Sequence, residues 1–440
     1  MRVFFFLLCF FLFSGAAAAE KGTTVYTLSE AVSFALKNNP GVRASGKEIE
    51  GSFYGIASAK AERLPALTLN GGITRYRYPT PVTPISGSPL EGAAFPEFEN
   101  TLYDAGVSFF VSLYRGGRLD RGVKIAEINR SISQDLYQSD RQGLIYNVAS
   151  TYYKIAQLGK LLRAAEASVG QLAAHKRNVE LFLEAGTVPR VELLKAEAEL
   201  AHARQNAIAV RNHQESAYEL LKALMGIEDR EERISLIFDE EIPSIGSDRE
   251  ASVVKALSLR PDYRALLKRQ ERAEERVKLV EGKKLPHVYA TGEFSERSGE
   301  GLAFKENWSF GVRLSLPLFD GGLIKAEAGR ELVEREKLKE EERSLRLAIV
   351  REVTDAHLAL VNAKERVGVA QKAIDSARET LRIEDLKFES GKGTGTDVID
   401  AQTAVLRAES DYYQAFYDLQ AAGAFLRKAV GEDGYREEEK

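Results

Sequence analysis

Across 440 residues there is one cysteine, Cys9, and there are only 12 prolines. No uninterrupted hydrophobic run is long enough to span a bilayer as a helix. One cysteine excludes a disulfide framework and any thiolate metal cluster. Lys and Arg total 61 against 65 Asp and Glu, so the basic surplus that marks a general nucleic-acid binder is missing. The five histidines (His175, His202, His213, His287 and His357) show no metal-enzyme spacing. Gly391-Lys392-Gly393-Thr394-Gly395-Thr396 has a superficial likeness to a phosphate loop, but the P-loop spacing and a preceding strand are both lacking. No residue constellation nominates a catalytic site, and no cofactor is indicated.

The few prolines are informative by position. Five lie between Pro79 and Pro96, whereas the 123 residues after Pro317 contain none, which leaves room for very long helices. The N-terminus reads as a secretory signal over residues 1–19. Arg2 supplies its positive end, Val3 to Phe13 its 11-residue apolar run, and Ala16 to Ala19 a small-residue cleavage site. Cys9 lies inside that run, so lipid attachment there is not expected. Export is therefore expected, and any membrane span must be β.

The chain repeats itself. Ala31 to Pro40 is echoed by Val254 to Pro261, and Leu64-Pro65 by Leu285-Pro286, at an offset of 221. Leu113-Tyr114-Arg115-Gly116-Gly117 recurs as Leu318-Phe319-Asp320-Gly321-Gly322, and Leu183-Glu184-Ala185-Gly186 as Phe388-Glu389-Ser390-Gly391, at 205. The first half thus carries 16 extra residues, where the prolines cluster. This pattern indicates duplication.

Each half pairs two strands with two long helices. Tyr103 to Leu113 and Trp308 to Leu318 are apolar at every second residue, over the length of a tilted membrane strand. Weaker partner strands run through Leu67, Leu69 and Ile73, and through Val288, Ala290 and Phe294. A soluble sheet with one buried face alternates in the same way. Behind each Gly-Gly the period becomes helical for about 68 residues, or roughly 100 Å of helix. Val353, Ala356, Leu360, Ala363, Val367, Ala370 and Ile374 step by threes and fours, as do Val398, Ala401, Val405 and Ala408. Such a stripe means coiled-coil packing. A soluble periplasmic coiled-coil adaptor or scaffold is one reading of it, although the strands then lack a purpose. If the strands do enter a bilayer, four cannot close a barrel, and several chains must share one.

The predicted organisation is a signal peptide (1–19), a first repeat (20–225), an equatorial linker (226–250), a second repeat (251–430) and a tail (431–440). The first repeat holds a β-hairpin at about 64–114 and helices at about 118–185 and 190–225. The second holds a hairpin at about 285–318 and helices at about 323–389 and 396–430.

The duplicated order, Leu316-Pro317-Leu318-Phe319-Asp320-Gly321-Gly322, and Asp397-Val398-Ile399-Asp400-Ala401-Gln402 resemble the TolC-like outer membrane efflux proteins over about residues 25–430. The resemblance implies an α+β membrane protein with a long antiparallel α-helical coiled-coil tunnel. That tunnel would continue into a 12-stranded transmembrane β-barrel of a homotrimer, four strands per chain. It implies residence in outer membrane lipid, a periplasmic adaptor and an inner-membrane pump as partners, and passive outward conduction.

The resemblance also assigns residues. Asp397 and Asp400 match two aspartates that line the periplasmic entrance and set cation preference. Residues three apart share a helix face, so a trimer would stack two carboxylate rings. A helix N-terminus favours carboxylates in any case. Glu192 matches an acid that locks the entrance, but its usual tyrosine and arginine partners are replaced by Phe388 and Gly393. Lys392 and Arg190 are the candidate replacement cations, and pairing of Glu192 with Lys392 is expected. Two tips, Ala185-Gly186-Thr187 and Ser390-Gly391-Lys392, match adaptor-binding turns; glycine there also terminates helices.

Overall fold

The computed structural model describes residues 24–77, 100–229, 234–238 and 248–433. The expected signal peptide, the Pro79–Pro96 cluster, residues 230–233 and 239–247 of the expected linker, and residues 434–440 of the tail lie outside the described residues.

Duplication is visible in the element bounds. In the first half, α1 (Leu28–Asn38), α2 (Pro40–Ala61), β2 (Ala66–Arg75), β3 (Thr101–Arg115), α3 (Arg118–Glu184) and α4 (Arg190–Met225) follow a short β1 (Thr24–Tyr26). In the second half, α5 (Arg249–Leu259), α6 (Pro261–Glu281), β5 (His287–Ser298), β6 (Lys305–Ser315), α7 (Leu323–Glu389) and α8 (Gly395–Val430) follow β4 (Ile234–Leu236). α3 and α7 are each 67 residues long, and α4 and α8 are each 36. Pro40 and Pro261 each occupy the first helical position, where the missing N–H costs nothing.

The predicted apolar stripes are the buried sides of the long helices. Val353, Ala356, Ala363, Ala370 and Ile374 of α7 are buried, as are Val148, Ile155, Leu158, Ala165 and Leu172 of α3. Their partners include Val398, Ala401, Val405 and Ala408 of α8, with Ala196, Leu200 and Ala207 of α4. α3 pairs with α4 and α7 with α8 as antiparallel hairpins, and α3 also packs on α8. The alanines allow this close approach.

Two related cores sit where the short helices dock. The first gathers Val32, Ala35, Val148, Tyr152, Ile155, Leu221 and Met225 beneath the parallel β1–β4 pair. The second gathers Ala256, Ile349, Val353, Ala356, Leu426 and Val430. Val148 and Val353, Leu221 and Leu426, and Met225 and Val430 are repeat mates. Each large apolar side chain buried here contributes about 1.5–3 kcal/mol.

The four long strands form one antiparallel sheet in the order β2-β3-β5-β6. Register places Leu69 opposite Val107, Val107 opposite Phe294, and Phe294 opposite Trp308. That face is apolar across all four strands and open to the surroundings, with Leu69, Ile73, Trp308, Phe310, Val312 and Leu314 all exposed. The other face carries Asn70, Ser295 and Asn307. Among the described residues, β2 and β6 have no partner on their outer edges. Among the described residues, no helix is long and apolar enough to cross a membrane.

The β3–α3 turn uses a tight backbone crossing. Gly116 has φ +63°, and a side chain there would collide with the Gly282 carbonyl oxygen. Only glycine combines that left-handed φ with such close approach. Nearby, α6 places Glu275, 2% exposed, against the start of α3, where Arg121 (2.6 Å) and Lys124 (3.0 Å) meet it alongside Lys278 (3.1 Å).

Candidate functional site: the hairpin ends

The ends of both helical hairpins far from the sheet collect every residue singled out by the resemblance. α3 ends in the exposed turn Ala185-Gly186-Thr187, closed by the Thr187 N–H and hydroxyl, which both donate to the Phe182 carbonyl (2.9 and 2.8 Å). α7 ends in the exposed turn Ser390-Gly391-Lys392, where the Lys392 and Gly393 N–H groups donate to the Lys387 carbonyl (2.8 and 3.0 Å). Gly186 and Gly391 both take left-handed φ, +73° and +72°. These bonds satisfy carbonyls that a helix end otherwise leaves open.

α8 begins with a capping box. The Thr394 N–H and hydroxyl donate to Asp397 Oδ2 (3.0 and 2.7 Å), and the Asp397 N–H donates back to Thr394 Oγ1 (3.2 Å). The Thr394 hydroxyl bond, followed by its N–H, holds the Asp397 carboxyl below its usual range. Asp397 and Asp400 are both exposed, while Val398, Ile399 and Ala401 between and beside them are buried. The helix therefore turns both carboxylates away from the packed side. The capping role weighed for Asp397 is present; Asp400 makes no cap.

α4 begins differently. Pro189 stands at its N-cap and offers no side-chain cap. Glu192, the repeat mate of Asp397, is free of that duty, and its Oε1 accepts from Lys195 Nζ at 3.0 Å. Lys195 also reaches Thr396 Oγ1 at 3.4 Å, so it ties α4 to the first turn of α8. A Cβ at Gly395 would stand 3.3 Å from Glu192 Oε2 and 3.4 Å from His175 Nε2. The Glu192 carboxylate thus lies against the positive end of the α8 dipole.

His175 of α3 is 5% exposed and packs its ring on Phe388 of α7 at 5.2 Å. Phe388 in turn meets Phe182 edge-on at 5.5 Å. Burial lowers the His175 pKa, against the pull of the Glu192 carboxylate. Phe388 lacks a hydroxyl, yet it joins the two hairpins through these rings. Gly393 has little room to be anything larger, because a Cβ there would lie 3.0 Å from Lys387 Cβ and 3.1 Å from the Phe388 nitrogen.

One expectation is corrected. Glu192 pairs with Lys195, not with Lys392. Lys195 is one helical turn onward on the same face, whereas Lys392 projects from the turn beyond the end of α7. Among the described residues, neither Lys392 nor Arg190 forms an ion pair. Sequence reasoning missed Lys195 and His175. Carrying the 205-residue offset from Asp400 would have landed on Lys195, and its spacing from Glu192 was a pairing signal.

Comparison with known proteins agrees with this architecture. A family described as outer membrane efflux protein matches residues 31–227 and 253–432, one block in each repeat. The chain is 24% identical to an outer membrane protein TolC of Vibrio cholerae, covering 96% of this chain and 94% of that one. It is also 24% identical to the outer membrane protein OprJ of Pseudomonas aeruginosa, over 95% and 89%. Among solved structures, the outer-membrane channel OprN aligns with a TM-score of 0.79 at 18% identity, covering 93% of this chain and 91% of that one. The Campylobacter jejuni CmeC outer membrane channel aligns at 0.78 and 18%, over 94% and 87%. With both repeats matched and the whole hairpin-and-sheet architecture shared, the chain belongs to the outer membrane efflux protein family.

Proposed function

We propose that three copies of this chain build an outer membrane channel-tunnel that conducts substrates passively from the periplasm to the exterior. The observation that carries this is the four-stranded sheet itself. It exposes one broad apolar face, has two open edges, and continues into helices of 67 residues. An apolar face of that extent is stable only against lipid or another protein. Open edges cannot stand in hydrocarbon, so the strands of several copies must close on one another. Three copies give twelve strands, wide enough for a lumen lined by the polar face. The helices add roughly 100 Å of tunnel below.

The turns at Ala185-Gly186-Thr187 and Ser390-Gly391-Lys392 form the periplasmic tips that meet an adaptor and, through it, an inner-membrane pump. Asp397 and Asp400 line the entrance and favour cations. The conduit performs no chemistry of its own. The soluble adaptor alternative is set aside, because the family match takes in both strand pairs, which a soluble rod leaves without a role.

Purified protein in planar bilayers provides the test. Discrete cation-preferring conductance steps are expected, with recovery of the protein in the outer membrane fraction. Recovery in the soluble periplasm with no conductance overturns the reading.

A further inference from the structure

The two hairpins of the sheet agree on the apolar face and differ on the polar one. Leu67 and Val288, Val107 and Val312, and Phe109 and Leu314 are repeat mates on the apolar face, and each keeps an apolar side chain. On the polar face, at the sheet end nearest the helices, Tyr289 of β5 stands directly opposite Arg313 of β6. The mates of that pair are Thr68 and Ser108, which oppose each other in the same register of β2 and β3. His287, two residues before Tyr289 on that face, has Ala66 as its mate. Forming a hairpin at this place therefore needs neither the rings nor the cation.

The rings form a ladder across the polar face. The His287 and Tyr289 rings lie 4.9 Å apart, and Phe110 of β3 lies 5.5 Å from Tyr289 on its other side. The Ser112 hydroxyl stands 3.4 Å from His287 Nε2 and fixes the end of the ladder. Phe110 is 42% exposed although it sits on the polar face. Tyr289 thus stands between an open aromatic ring and the exposed Arg313. Among the described residues, the Arg313 guanidinium forms no ion pair or hydrogen bond. Neighbouring charges leave it uncompensated. Arg115, opposite His287, is taken up by Glu62 at 3.2 Å. The next acid along this face of β5 is Glu293, four residues from Tyr289 and roughly 13 Å away at the rise of a strand.

We propose that Arg313, Tyr289 and Phe110 form a binding site for planar aromatic carboxylates in transit. The guanidinium fork takes the carboxylate through two parallel N–H bonds, as it does wherever it meets a planar anion. Directly opposed strand residues lie about 4.5–5.5 Å apart, so the aromatic body of the ligand falls on Tyr289 and reaches Phe110 in offset stacking. The inference rests on the trimeric channel reading above, in which the polar face lines the lumen, and it adds a cargo class to that reading. Three such sites then ring the base of the barrel. They lie roughly 100 Å from the entrance carboxylates and have the opposite charge preference. Exposure to the lumen keeps the binding weak, which lets a ligand leave again.

Single-channel currents of the full protein in planar bilayers test it, with probes added on the side where the barrel opens. 2-Naphthoate should interrupt the current in a concentration-dependent way. Cyclohexanecarboxylate, which has the charge without the aromatic face, and 2-naphthylmethylammonium, which has the ring with the opposite charge, should each need at least about fivefold more for the same block. Arg313→Gln should raise the half-blocking 2-naphthoate concentration about tenfold, and Arg313→Lys should recover only part of that loss, because a point charge lacks the fork. Tyr289→Leu should raise it about threefold without changing the weak block by cyclohexanecarboxylate. The three-probe comparison needs only the parent protein, so it decides the matter even if a variant does not assemble. Equal block by all three probes, or a 2-naphthoate block unchanged in a conducting Arg313→Gln channel, overturns this inference and leaves the channel reading standing. A parent protein without conductance overturns both.

Discussion

Glu192 and Lys195 form an ion pair of 3.0 Å on the first turn of α4, in the places that Asp397 and Asp400 occupy in α8. The two repeats have therefore diverged in charge where they meet at the hairpin ends. One half presents two carboxylates, and the other presents a neutralised pair that also reaches Thr396. Lys195→Met is expected to release Glu192 and raise cation preference, read as a larger reversal potential in a salt gradient. It is also expected to loosen the α4–α8 contact and raise the open fraction, about two- to fivefold for a half-exposed pair. An unchanged reversal potential would show that Glu192 does not face the ion path.

Asp397 and Asp400 separate by their second roles. Asp400→Asn should reduce cation preference with no loss of helix order. Asp397→Ala should reduce it and also fray the first turn of α8 by about 1 kcal/mol, because the reciprocal cap with Thr394 is lost. Hydrogen exchange at residues 395–398 distinguishes the two variants.

Thr394 should also control the acid limb of selectivity. Its hydroxyl and N–H hold the Asp397 carboxyl below the usual range, so that carboxylate keeps its charge at pH values where an ordinary aspartate, near 3.9, protonates. Thr394→Val removes the stronger of the two bonds. The fall in cation preference on acidification is then expected to begin at a higher pH than in the parent, as read by reversal potentials between about pH 6 and pH 3.

His175 should make the hairpin contact pH-sensitive. Burial lowers its pKa, so the packed state binds the proton less well than an exposed histidine does. Its contribution is present above the ordinary pKa, near 6.5, and declines as pH falls from there through the lowered value. Amide exchange in the first turn of α8, divided by the intrinsic rate at each pH, should therefore quicken as pH falls from about 7.5 to about 5.5. His175→Gln should flatten that dependence. Equal acceleration in both proteins would sink the assignment.

Glu275 gives a signature of the same sign near the sheet, at more acid pH. Burial would raise its pKa, but bonds from Lys124, Lys278 and Arg121 hold it at about 2, against 4.5 for an ordinary glutamate. A lowered carboxyl pKa stabilises above the ordinary value, so the contribution is complete above about 4.5 and disappears as pH falls towards about 2. Glu275→Gln is expected to cost about 2 kcal/mol at pH 7 and to lower the thermal midpoint of the full protein. The difference from the parent should vanish in strong acid.

Periodicity alone marked the tunnel. Val148, Val353 and Val398 stand on stripes that can be read from spacing, and a stripe that long has few ways to be buried except against another helix. Glycine pairs at Gly116-Gly117 and Gly321-Gly322 marked the passage from strand to helix, because few other residues adopt the left-handed backbone found there. Repeat offsets, helix lengths and alternation are local properties, and the order of residues determined them.

Tertiary structure decided what depends on neighbours distant in the chain. The sequence pointed Glu192 to Lys392, with Arg190 as the other candidate, and passed over Lys195, since pairing depends on which cation the helix turns towards it. It listed His175 among five histidines, but burial against Phe388 and the α8 terminus, which gives it a lowered pKa, appears only when three helices meet. Helical and strand periods follow from backbone geometry and side-chain sorting, so they are legible in one dimension. Pairing, burial and pKa depend on distances between elements, which exist only in the fold.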